Sequence, residues 1–94
     1  MILGGWRQCT ASDIRPEVLD VVKKKLDELH PGVTIAEILQ CGTQVVRGLN
    51  TMLFTRLSNA MHYVTVVWFD LGSYQLTYCE QYTGDPNAFI WPPK

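Results

Sequence analysis

The sequence predicts an α+β domain in which one long helix packs on an antiparallel β-sheet of four to five strands. Two observations carry this expectation. Only one stretch, residues 14–29, places apolar side chains at helical spacing. Everything after Gly32 reads as strands joined by short turns, which favours an antiparallel meander with the helix on one face. At 94 residues the length predicts one domain, residues 1–94, since two cores would each approach the lower limit of unaided folding.

The first segment, Met1-Ile2-Leu3-Gly4-Gly5-Trp6, is apolar and uncharged. It suits an outer strand, or an interaction segment in which Ile2 and Leu3 fill pockets while Gly4-Gly5 lets the backbone pass close to a partner. From Asp13 the pattern changes. Pro16 sits where a first helical turn tolerates it, with Asp13 and Glu17 near the positive dipole end. Ile14, Val18, Val22 and Leu29 share one face, with Val21 and Leu26 at its margins. Lys23, Lys24, Asp27 and Glu28 lie largely opposite, and His30-Pro31-Gly32 ends the helix.

Residues 33–46 are rich in β-branched side chains, and Gly42 within them is expected to mark a bulge. Leu49, Thr51, Leu53, Thr55 and Leu57 then alternate with Asn50, Met52, Phe54 and Arg56, the period of a strand. Ser58-Asn59-Ala60 reads as a turn and residues 62–70 as a strand, with Val64, Val66 and Trp68 on one face. Leu71-Gly72-Ser73 connects this hairpin to a last strand over residues 75–82. The proline-bearing segment 84–94 is expected to be extended and irregular.

Composition removes several function classes. Eight basic against nine acidic residues give a net charge of −1, which argues against nucleic acid as a partner. No apolar run is long enough for a membrane span, and the first residues lack the charged and apolar regions of a signal peptide. Cys9, Cys41 and Cys79 are odd in number, so they make no complete disulfide framework, and their spacing suits no metal. That usage points to a reducing, cytoplasmic setting. No cofactor motif is present, and the catalytic signatures G-x-S-x-G, Walker loop and H-E-x-x-H are all missing. A nucleophilic pair of Cys41 with His62 has no family signature around it. The chain is therefore not read as an enzyme.

Gln44-Val45-Val46-Arg47-Gly48 needs more than a turn to explain it. Gly48 can take a positive φ, but Val45-Val46 is unusual at a loop tip and suits insertion into a groove. This pentapeptide resembles the Q-x-V-x-G motif of the cystatins, inhibitors of papain-like, cathepsin-type cysteine proteases. Met1-Ile2-Leu3-Gly4-Gly5 resembles the N-terminal trunk of the stefins, the intracellular, disulfide-free members, as do the Arg15-Pro16-Glu17 helix start and the order of elements. The similarity covers nearly the whole chain.

The resemblance implies a cystatin-like fold and a three-part wedge that blocks a protease cleft without covalent chemistry. Ile2, Leu3, Gly4 and Gly5 would form the trunk. Gln44, Val45, Val46, Arg47 and Gly48 would form the first hairpin, and Leu71 and Gly72 the second. The chain departs from the pattern at Asp70-Leu71-Gly72-Ser73, which is short and lacks the proline the family often carries. Trp91-Pro92 reverses the family's Pro-Trp order after the last strand, so no role is carried onto it. Arg47 adds a charge near the cleft. These departures motivate the alternative, a non-inhibitory interaction module on the same fold. The resemblance also implies a monomer able to exchange its N-terminal strand and helix with a second copy, opening the first hairpin.

Overall fold

The computed structural model describes residues 5–93 and shows one helix packed on a five-stranded antiparallel sheet. A two-residue strand β1 (Arg7–Gln8) precedes a single 3₁₀ turn (Ala11–Asp13) and helix α1 (Pro16–Leu29). Strands β2 (Ile35–Val46), β3 (Gly48–Leu57), β4 (His62–Asp70) and β5 (Ser73–Tyr82) follow, and their order in the sheet equals their order in the chain.

The helix begins two residues later than its apolar pattern, because Pro16 fills the first helical position and Arg15 stays extended. Its buried face is Val18, Val22 and Leu26, at i, i+4 and i+8. Leu26, expected at the margin, is in the core, and Leu29, expected on the face, is exposed. Burying each of the three is worth about 1.5–3 kcal/mol. At the far end His30 donates its N–H to the Leu26 carbonyl, and its Nε2 lies 2.7 Å from the Tyr63 hydroxyl on β4. Before the helix, the Asp13 carboxylate accepts from the Thr10 amide and hydroxyl, both at 3.0 Å, which holds its pKa below the ordinary carboxylate value. That contribution to stability is present at neutral pH and is lost as pH falls through the lowered value.

The sheet carries a core on each face. Cys41, Leu53, Leu57, Tyr63 and Val67 meet the helix. Met52, Phe54, Val64 and Val66 point the other way and are covered by Phe89, Trp91 and Trp6. The segment after β5 is thus more than an irregular extension. A 3₁₀ turn at Pro86–Ala88 redirects it so that Phe89 stacks on Phe54, with ring centroids 3.9 Å apart. Strands β3 and β4 are buried on both faces for this reason.

Two expectations about β2 change. Its register is regular through Gly42, and the irregularities fall at Ile35/Glu37 and Ile38/Gln40. Gly42 serves close approach instead: a Cβ there would lie 3.3 Å from the Arg7 carbonyl oxygen and 3.5 Å from the Trp6 ring. The cysteine reading is also corrected. Cys9 and Cys41 form a disulfide, which leaves Cys79 as the free thiol. An odd count excludes a complete framework but not one bond, and β1–β2 pairing brings together cysteines 32 residues apart. Closing a loop of that size is worth about 3–4 kcal/mol on a chain-entropy account. The bond departs from the disulfide-free stefin pattern and removes the cysteine argument for a reducing compartment. Among the described residues, no helix is long and apolar enough to cross a membrane.

Candidate functional site: one edge of the sheet

The topology brings two hairpin tips to the same end of the sheet. β2 turns into β3 through Arg47, with Val46 opposite Gly48, and β4 turns into β5 through Leu71-Gly72, with Asp70 opposite Ser73. Leu49 pairs with Phe69, so the two turns are neighbours. β1 is antiparallel to β2 with Arg7 opposite Thr43, so Trp6 and Gly5 run toward the same end. Gly5 lies on this path and is exposed, while Ile2, Leu3 and Gly4 lie outside the described residues.

Within the first hairpin, Val45 is 62% exposed and Val46 is half-buried. Successive strand residues point to opposite faces, so the two valines do not act as one apolar tip. Gln44 is half-buried, and its side-chain oxygen accepts from Asn50 Nδ2 at 3.2 Å. Gly48 is required twice over. Its φ is +87°, and a Cβ there would run into the Phe69 carbonyl oxygen while lying 3.1 Å from Asp70 Cβ.

Arg47 faces solvent, but its Nε lies 3.1 Å from Asp70 Oδ2. With the arginine side chain 74% exposed, that pair contributes at most about 1 kcal/mol. The firmer tie is the indole of Trp68, which donates Nε1–H to the Arg47 carbonyl at 2.7 Å. Arg15, just before the helix, lies 5.0 Å over the Phe69 ring and donates to the Tyr74 hydroxyl at 3.2 Å. Trp68, Phe69, Asp70 and Arg15 therefore fix the two turns to each other and to the start of α1. The sequence reading assigned them no role in the site; the one available signal was the cluster Trp68-Phe69-Asp70 immediately before the second turn.

In the second turn Leu71 has φ +51° and Gly72 φ +78°, the pattern of a type I′ turn. A leucine is costly in that conformation, and Leu71 is 86% exposed, so it contributes no packing in return. Leu71→Asn gives the preferred Asn-Gly pair and is expected to raise stability by up to about 1 kcal/mol, seen as a rise of a few degrees in a thermal melt.

Among the described residues no group of three metal-ligating side chains comes together. Cys41 is consumed in its disulfide, and it faces the helix while His62 stacks near Phe54 on the other face, which overturns the Cys41–His62 pairing. Burial pushes the Cys79 thiol up, away from reactivity. A groove of about 360 Å³ lined by Lys23, Leu26, Asp27, Val33, Thr34 and Ile35 lies at the opposite end of β2 from the turns. What the edge offers is a rigid backbone bearing two outward apolar side chains. No family model matches the chain, and no curated protein or solved structure is significantly similar to it.

Proposed function

We propose that this protein is a reversible, non-covalent inhibitor of papain-like cysteine proteases, acting as a monomer that blocks the active-site cleft with the sheet edge. The observation that carries the reading is the presentation of Val45, beside the first turn, and Leu71, in the second, on two mutually fixed hairpins, with Trp6 and Gly5 directed to the same edge. Such an edge enters a groove with little ordering cost, because both turns are already held. Val45 and Leu71 would exclude water from the cleft, each worth about 1.5–3 kcal/mol on full burial. The residues before Arg7 would continue along the cleft, and Gly4-Gly5 would carry the backbone past the nucleophile with no peptide bond in attacking geometry. No proton transfer or bond cleavage is needed.

Titration of purified monomer against active papain, followed by hydrolysis of a fluorogenic peptide, tests this. Stoichiometric inhibition is expected. Leu71→Asp should weaken it roughly thirtyfold or more while leaving the fold intact. Removal of Met1 to Gly4 should raise the dissociation rate and leave association nearly unchanged. A folded monomer that fails to bind papain would instead support the second reading, a non-inhibitory interaction module. The Arg47–Asp70 pair favours that reading, since it places a charge at the tip of the proposed wedge.

A further inference from the structure

The edge strand β1 is only two residues long, yet its antiparallel pairing with β2 directs Trp6 and Gly5 toward the turns. Beyond its two ladder pairs with β2, three ties hold this region. The Cys9 amide donates to the Cys41 carbonyl at 3.1 Å, Trp6 meets Trp91 edge-on with centroids 5.5 Å apart, and Cys9 is bonded to Cys41. Only the last is covalent, and it is anchored in the core, because Cys41 is 5% exposed on the helix side of β2. Two pairs of a ladder are too few to hold an edge strand on their own.

We propose that the Cys9–Cys41 disulfide is a positioning bond for the N-terminal segment, holding it along β2 so that it leaves at the docking edge, and that a dithiol reductant weakens docking by opening it. This rests on the inhibitory reading above. Cys9 is the less buried of the two cysteines, which makes its sulfur the one a reductant reaches first. A reductant thiolate attacks that sulfur to form a mixed disulfide, and Cys41 leaves as a thiolate that takes up a proton. The reductant's second thiol then displaces Cys9. The protein gains two electrons and two protons, and the dithiol becomes a disulfide. Helix and hairpins keep their own cores, so the released part is β1 and what precedes it.

Four proteins test the positioning role: the full chain and a chain lacking Met1 to Gly4, each with the disulfide and as Cys9→Ser/Cys41→Ser. Papain is activated with thiol and freed of it by gel filtration before mixing. Loss of the disulfide should speed dissociation from papain about tenfold in the full chain and less than twofold in the shortened one. Equal acceleration in both backgrounds would mean general loosening and overturn the proposal, as would no acceleration in the full chain. Hydrogen exchange gives an answer that does not need papain. Reducing the native protein with dithiothreitol should lower the protection of the residue 9 amide at least tenfold, while amides of β3 and β4 keep theirs. Unchanged protection at residue 9 overturns the proposal even if papain is inhibited. Loss of that protection in a protein that never inhibits papain would leave the bond as the holder of β1, overturn its role in docking, and refute the inhibitory reading itself.

Discussion

Gly48→Val is expected to destabilise the protein by about 3–5 kcal/mol and to abolish the protease binding proposed for the sheet edge. The first part of the cost is conformational: a side chain at φ +87° costs about 1–2 kcal/mol, and a β-branched one sits at the upper end. The second is steric, since the new Cβ would run into the Phe69 carbonyl, and backbone there cannot yield without moving β4. Overpacking of this kind costs about 1–3 kcal/mol. The only escape is for the first turn to lift from β4, which breaks the Trp68–Arg47 hydrogen bond and the Arg47–Asp70 pair together. A chemical melt measures the loss of stability, and papain titration measures the loss of binding. Gly72→Ala is the control, because a Cβ at Gly72 meets nothing within 4 Å and only the conformational cost applies. If Gly48→Val melts like Gly72→Ala, the turns are not fixed to each other as described.

Phe54→Ala is the second large effect, at about 3–5 kcal/mol. The ring is fully buried and contacts Phe89 face to face at 3.9 Å and Tyr82 edge-on at 5.2 Å. Its removal should do more than leave a cavity. Phe89 loses its main partner, so residues 84–93 should come away from the sheet and become cleavable by protease under native conditions. Leu53→Ala, one residue earlier but facing the helix, is expected to cost about 2–5 kcal/mol and leave that segment docked. Limited proteolysis of the two variants distinguishes a core on both faces from a core on one.

The helix was legible because Val18 and Val22 repeat at its period and Pro16 marks its start. The strands were legible from alternation and turns, and their order follows because short turns leave little choice. Burial of both faces was not legible. Residues 51–55 and 63–67 are buried without a break, and alternation along one strand does not say what covers its second face. The cover, Phe89 with Trp91, lies among prolines that read as irregular. The disulfide escaped for a related reason, as it depends on Arg7 and Gln8 pairing with Thr43 and Gly42, a register that spacing does not encode. In the candidate site, Gln44 to Gly48 stood out as a motif. Trp68 and Asp70 did not, because their contact with Arg47 exists only through the β3–β4 register.

Leu71 has a consequence for any attempt to improve this protein. It is a leucine in a left-handed turn position, open to water, where asparagine would be more comfortable. Selection for heat resistance alone would therefore replace it early, and the survivor would be a better-behaved molecule with a blunted tip. Screening for stability and screening for binding should pull this one position in opposite directions. A library varied at residue 71 and sorted separately for each property would show leucine depleted in the first pool and retained in the second.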